Sequence, residues 1–118
     1  MLHDEGYLEI RLIDRGAPFD LEEAKNQYQT AMELTGEQPY LVLVNTEDAL
    51  VQPTKEAQDF ILDVPKRIAE ALIVTSLPMR ILSRFYVRKI KSHPVKVFKS
   101  REKALNWLFS FKESGEKL

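Results

Sequence analysis

Tyr40-Leu-Val-Leu-Val44 is an unbroken apolar run rich in β-branched residues, the composition of a strand covered on both faces by other elements. A segment of that kind needs a layer on each side of it. Downstream the chain offers a polar loop from Thr46 to Gln52 and then Pro53-Thr54-Lys55-Glu56, which reads as a helix start. Proline at the first helical position forgoes an N–H that has no partner there, and Glu56 and Asp59 complement the positive end of the helix dipole. Strand, loop and helix N-terminus form one unit around which the other segments are arranged.

The flanking segments repeat that alternation. Tyr7 to Ile13 places Leu8, Ile10 and Leu12 on one side and Glu9 and Arg11 on the other, which predicts a strand near an edge with one wetter face. Asp20-Leu-Glu-Glu23 has capping-box spacing behind Phe19 and opens a helix over 21–35 that Gly36 stops. The helix after Pro53 buries Ala57, Phe60, Ile61 and Val64 and ends at Pro65, and the apolar core Ala71 to Val74 marks a second interior strand. Ser76 caps a third helix running to about Lys91, with Met79, Leu82, Phe85, Tyr86 and Ile90 on its buried face and Arg80, Arg84, Arg88 and Lys91 opposite. His93-Pro94 breaks that helix, Val95 to Phe98 is a short strand, and Ser100 caps a last helix carrying Ala104, Leu105, Trp107, Leu108 and Phe111.

Strand and helix in strict alternation predict an α/β fold, a mainly parallel or mixed sheet of four or five strands packed with four helices. A length of 118 residues, 44% of them hydrophobic, suits one domain over 1–118, with 1–6 and 112–118 as mobile ends. The absence of cysteine rules out disulfides and thiolate metal sites. No apolar run approaches the roughly 20 residues of a membrane span, and Met-Leu-His-Asp-Glu lacks a basic leader, so the expectation is a cytoplasmic protein without membrane contact.

Charge is divided unevenly along the chain. Residues 1–63 carry 4 Lys/Arg against 14 Asp/Glu, net −10, and residues 64–118 carry 13 against 4, net +9. Interleaving of the two halves in space neutralises much of this, but four like charges on one helix face repel at i, i+4 unless something acidic lies opposite. Arg80, Arg84, Arg88 and Lys91 are therefore a candidate docking face for an acidic protein surface, including that of a second copy in a homodimer. Nucleic acid is disfavoured, because the aromatic residues of this helix fall on its buried side.

Groups that could carry chemistry are sparse. His3 and His93 lack partners at ligand spacing and are expected at the surface, and the pairs Glu22/Glu23 and Asp59/Asp63 read as solvated helix faces. No nucleophile elbow, phosphate loop or dinucleotide fingerprint is present. The expectation is a protein without catalytic residues, metal or cofactor.

The element order, the strand end Leu43-Val44-Asn45 and the loop leading to Pro53-Thr54 resemble the STAS fold of bacterial anti-sigma factor antagonists. The segments from Ala71 to Thr75, Met79 to Lys91 and Pro94 to Leu108 resemble small bacterial STAS-like proteins. In the antagonists an Asp-Ser-Ser-Gly motif opens the helix after this loop, and a serine there is phosphorylated by a partner kinase. By loop length Thr54 stands at that place, with Pro, Lys and Glu for the other motif residues. The plainer reading of Thr54 is a first-turn hydroxyl. The resemblance implies a non-enzymatic interaction or regulatory domain that meets its partner through Asn45, Thr46, Glu47, Asp48, Gln52 and Lys55. The alternative is a small-molecule binder with its ligand at the carboxyl ends of the central strands, near Asn45, Thr46 and Thr75 to Leu77. An apolar pocket there favours the binder, and a flat exposed patch favours the interaction module.

Overall fold

A computed structural model describes residues 2–3, 6–11, 19–46, 53–62, 64 and 66–116. Leu12, Ile13, Glu47, Asp48, Gln52, Asp63 and Pro65, which carry expectations above, lie outside the described residues. The elements are β1 (Leu2–His3), β2 (Tyr7–Arg11), α1 (Leu21–Thr35), β3 (Tyr40–Asn45), α2 (Lys55–Leu62), β4 (Arg67–Ile73), α3 (Leu77–Lys89), β5 (Val95–Phe98) and α4 (Arg101–Glu116). They build one mixed sheet in the order β1-β2-β3-β4-β5, with β1 antiparallel to β2 and the other neighbours parallel. The fold is thus the expected single α/β sheet with four helices.

Its layering follows from the crossovers. Three successive right-handed βαβ units between adjacent strands bring α1, α2 and α3 to one face. Leu8, Ile10, Val42, Val44, Leu72 and Val74 point to that face and pack with Ala31 and Met32 of α1 and Met79 of α3. The alternate residues Tyr7, Leu41, Leu43, Ala69, Ala71 and Ile73 meet Ala104 and Leu108 of α4 on the other face. Every residue of β3 is buried, as an unbroken apolar run at the centre of a sheet requires.

The caps show where local sequence decides. Asp20 accepts from the Glu23 N–H at 2.9 Å, and Gly36 ends α1 in the left-handed conformation at φ 63°. Ser76 caps α3 by accepting from the Met79 N–H at 3.4 Å. At α2 the cap is Thr54 and not the first turn as read from sequence: its hydroxyl accepts from the Ala57 N–H at 3.2 Å. Pro53 pairs instead with Phe19 in an isolated bridge, and the Thr54 N–H donates to the Phe19 carbonyl.

Other corrections concern what covers what. The N-terminal segment joins the sheet, with Leu2 opposite Leu8 and His3 opposite Tyr7. Both Tyr7 and Leu8 are therefore buried, and β2 has no wet face at that point. The last helix continues to Glu116. On α3 the buried line is Met79, Ser83 and Ile90, while Leu82 and Phe85 are exposed, Phe85 to 58%. A wheel locates the apolar arc of a helix, but among the described residues no further layer covers the flank of α3 that faces α2.

Candidate functional site

Glu70 sits in the middle of β4, inside an otherwise apolar strand. Alternation points its side chain to the same face as Leu72 and Val74, beneath α3, where it is 1% exposed. A buried carboxylate requires partners, and three donors reach it. Arg67 Nη1 donates to Oε1 at 2.8 Å, and the Tyr86 hydroxyl of α3 donates to Oε2 at 2.8 Å. His93, in the segment between α3 and β5, places Nε2 at 3.0 Å from Oε1 and Nδ1 at 2.9 Å from Ser92 Oγ. With Glu70 ionised, Nε2 is the donor and Nδ1 accepts from the serine. Arg67 Nε reaches the Tyr40 hydroxyl at 3.4 Å, which ties β3 into the same network.

The electrostatics follow from these contacts. Burial alone pushes the Glu70 carboxyl up; the His93 hydrogen bond, the Arg67 charge and the Tyr86 hydroxyl outweigh it and hold the group below its ordinary value. Burial and the nearby Glu70 charge drive the Tyr86 hydroxyl well above its ordinary value, so it stays a donor. Burial opposes the charge on Arg67, but Glu70 overcomes it and holds the guanidinium more firmly protonated than usual.

Next to this network lies a pocket of about 360 Å³ between α2, α3 and the sheet. Among the described residues its base is Ile10, Val44 and Leu72, and its walls include Ile61 and Leu62 of α2 and Met79, Leu82 and Phe85 of α3. One end carries Thr46, Phe19 and Pro53, near the carboxyl ends of β2 and β3, and the other carries Arg67, Glu70, Tyr86 and Lys89. Val44 pairs with Leu72, so Glu70 and Thr46 at the two ends stand four residue steps apart along the strands, about 13 Å at about 3.3 Å each. Ser83 lines it too and is buried.

A second charged cluster ties α4 to the sheet. Arg101 donates to both oxygens of Glu9, at 3.0 and 2.6 Å, and to the Tyr7 hydroxyl at 3.0 Å. His3 Nε2 lies 2.8 Å from Glu9 Oε1 and its ring stacks on Tyr7. The two-pronged bond from Arg101 is the main cause that takes the Glu9 carboxyl down to about 2, against burial, which acts the other way.

The sequence-derived candidates divide as follows. Asn45 and Thr46 are buried and not presented to a partner surface: Asn45 hydrogen-bonds Glu9, and Thr46 Oγ1 donates to the Ile73 carbonyl at 2.5 Å. Lys55 is exposed at the first residue of α2, Thr54 is half-buried as its cap, Arg80 is half-buried, and Arg84, Arg88 and Lys91 are exposed. His93, expected at the surface, is only 9% exposed and part of the buried network. Glu70 and Arg67 were missed. Their signal was one acid inside the run Ile68-Ala-Glu-Ala-Leu-Ile-Val, since a charge in an interior strand has to be paired. Among the described residues no three His, Asp or Glu side chains gather at a metal-binding distance, and no helix is long and apolar enough to cross a membrane.

Comparison with known proteins adds a family. A family model described as a domain of unknown function (DUF7793) matches residues 4–112. No curated protein and no solved structure matches the chain.

Proposed function

We propose that this chain, which belongs to the DUF7793 family, is a non-enzymatic binding domain that holds a small, mostly apolar molecule between α2, α3 and the sheet. The observation that carries this reading is the pocket of about 360 Å³ with an apolar base and its charged groups at one end, within the range of small-molecule sites and built in the way they are. It begins near the carboxyl ends of the parallel strands, where open α/β sheets place ligands. Binding without turnover suits the polar end. Both Glu70 oxygens and both His93 ring nitrogens are already engaged inside the protein, so neither group is poised to exchange a proton with a guest.

The test is titration with the neutral apolar fluorophore N-phenyl-naphthylamine. Wild type should take it up at a single saturable site, and Leu62→Trp, which fills the pocket from the α2 side, should lose that site while keeping its far-UV spectrum and melting temperature. Unsaturable uptake, or equal uptake by the filled variant, would sink the proposal.

A second reading, a STAS-like regulatory module working through protein contacts, is favoured by one observation. Leu77, Ile81, Leu82 and Phe85 are exposed on α3, at 67%, 49%, 36% and 58%, beside Arg80, Arg84 and Arg88. In this reading the partner is a second copy of the chain, whose residues 1–63 supply the complementary net charge of −10.

A further inference from the structure

We infer that the pocket takes an elongated anionic amphiphile, a long-chain carboxylate, with its head at Arg67 and Lys89 and its chain over Ile10, Val44 and Leu72. The inference rests on the reading of the pocket as a ligand site and adds the chemistry of the ligand.

Charge in the pocket is segregated along its length, although Gln27, Thr46 and Gln58 add neutral polar groups elsewhere in the lining. The base residues Ile10, Val44 and Leu72 are hydrocarbon, and every charged group among the described lining residues, Arg67, Glu70 and Lys89, lies at one end. A space about 13 Å long between Glu70 and Thr46, with charge at only one end, matches a molecule that is itself charged at one end and mostly apolar along the rest. A compact polar metabolite would leave the hydrocarbon base unused, and a wholly apolar one would lie against the charged end without a partner for it.

The sign of the head follows from the charges. Arg67 and Glu70 offset each other, and Lys89, which has no ion-pair partner among the described residues, leaves that end one positive charge in excess. The Glu70 carboxylate is turned inward to three donors, so it offers little to a cationic guest. Arg67 is different. Its side chain is 6% exposed, with Nη1 donating to Glu70, Nε to the Tyr40 hydroxyl, and the guanidinium also reaching the Tyr86 hydroxyl. A nine-tenths buried guanidinium that lines a cavity, with five N–H donors against these few protein acceptors, is a donor for an oxyanion. Lys89, one turn beyond Tyr86 on α3, adds a second cation at the surface. At the mouth, the exposed flank of Leu82 and Phe85 gives an alkyl chain an apolar path inward.

Displacement of bound N-phenyl-naphthylamine by three probes of equal chain length tests this. Dodecanoate, below its micelle concentration, should compete about ten- to a hundredfold more strongly than dodecanol, the equivalent of one or two charge-assisted hydrogen bonds. Dodecyltrimethylammonium should be weaker still. Lys89→Glu should erase most of the preference for dodecanoate over dodecanol, each read as displacement of the fluorophore from that same variant. Arg67→Lys, which keeps the charge and loses the fork, should reduce it in part. Dodecanol competing as well as dodecanoate would overturn the anionic head and leave the pocket reading standing, whereas failure of the fluorophore to bind wild type would overturn both. Displacement by anionic phospholipid vesicles and not by dodecanoate would also overturn the inference, by placing the anionic head on a bilayer.

Discussion

The Tyr86 hydroxyl donates to Glu70 Oε2 across 2.8 Å, and through that bond α3, a helix with an exposed outer flank, is anchored to the centre of the sheet. Its other inward contacts, Met79, Val87 and Ile90, are apolar and non-directional. The Tyr86 bond fixes the rotation of α3, and so sets which residues face the pocket.

Tyr86→Phe should therefore be costly for so small a change. It leaves one oxygen of a buried carboxylate without its donor, at about 1 to 3 kcal/mol. Glu70→Ala should cost more, about 3 to 5 kcal/mol, because it leaves the Arg67 guanidinium buried and unpaired. Urea unfolding monitored by Trp107 fluorescence measures both. Wild-type stability in either variant would mean that the network contributes nothing to the fold.

Leu43→Ala sets the scale for the apolar core. Leu43 is 0% exposed between α4 and the sheet, so truncation should cost about 2 to 5 kcal/mol in the same assay. A loss below about 1 kcal/mol would show that the site collapses around the missing atoms.

Acid should destabilise the protein in a defined window. Glu9 and Glu70 both have folded-state pKa values below their ordinary ones, Glu9 at about 2 against 4.5. A lowered carboxyl contributes stability above its unfolded value and loses it as pH falls through the folded one. For Glu9 the loss therefore runs from about pH 4.5 to about pH 2. Arg101 is 42% exposed, so water screens the pair and its share is no more than about 1 kcal/mol. Arg101→Gln should flatten the stability curve between pH 4.5 and 2 relative to wild type; an unchanged slope would exclude Glu9 as its source.

What the sequence discloses and what it hides have physical reasons. The run Tyr40 to Val44, the Asp20 and Ser76 caps and the Gly36 stop are local signals, and each is found where the sequence places it. The Glu70 network is not local. Its carboxylate meets Tyr86 and His93, 16 and 23 residues away, and only the fold brings them together. His93 next to Pro94 looks like a surface turn in sequence, yet the Pro94 carbonyl accepts from the Glu70 N–H, which draws the histidine against β4. Leu82 and Phe85 satisfy helical periodicity but have no opposing layer among the described residues, a fact that no wheel contains.

The second reading makes its own prediction. A dimer held by the Arg80, Arg84 and Arg88 face should dissociate between low salt and about 0.5 M, where the screening length falls to roughly 4 Å. Arg80→Glu/Arg84→Glu should be monomeric throughout. Sedimentation showing wild type as a monomer at every salt concentration would remove the electrostatic dimer.

The most direct test of the binding pocket is methyl NMR of the wild-type chain titrated with N-phenyl-naphthylamine. Methyls of Ile10, Val44, Ile61 and Leu72, which line the space, should shift together and saturate, while Leu41, Leu43 and Leu108 on the α4 face should move little. Shifts confined to Leu77 and Ile81 on the outside of α3, or no saturable shift at all, would contradict the account.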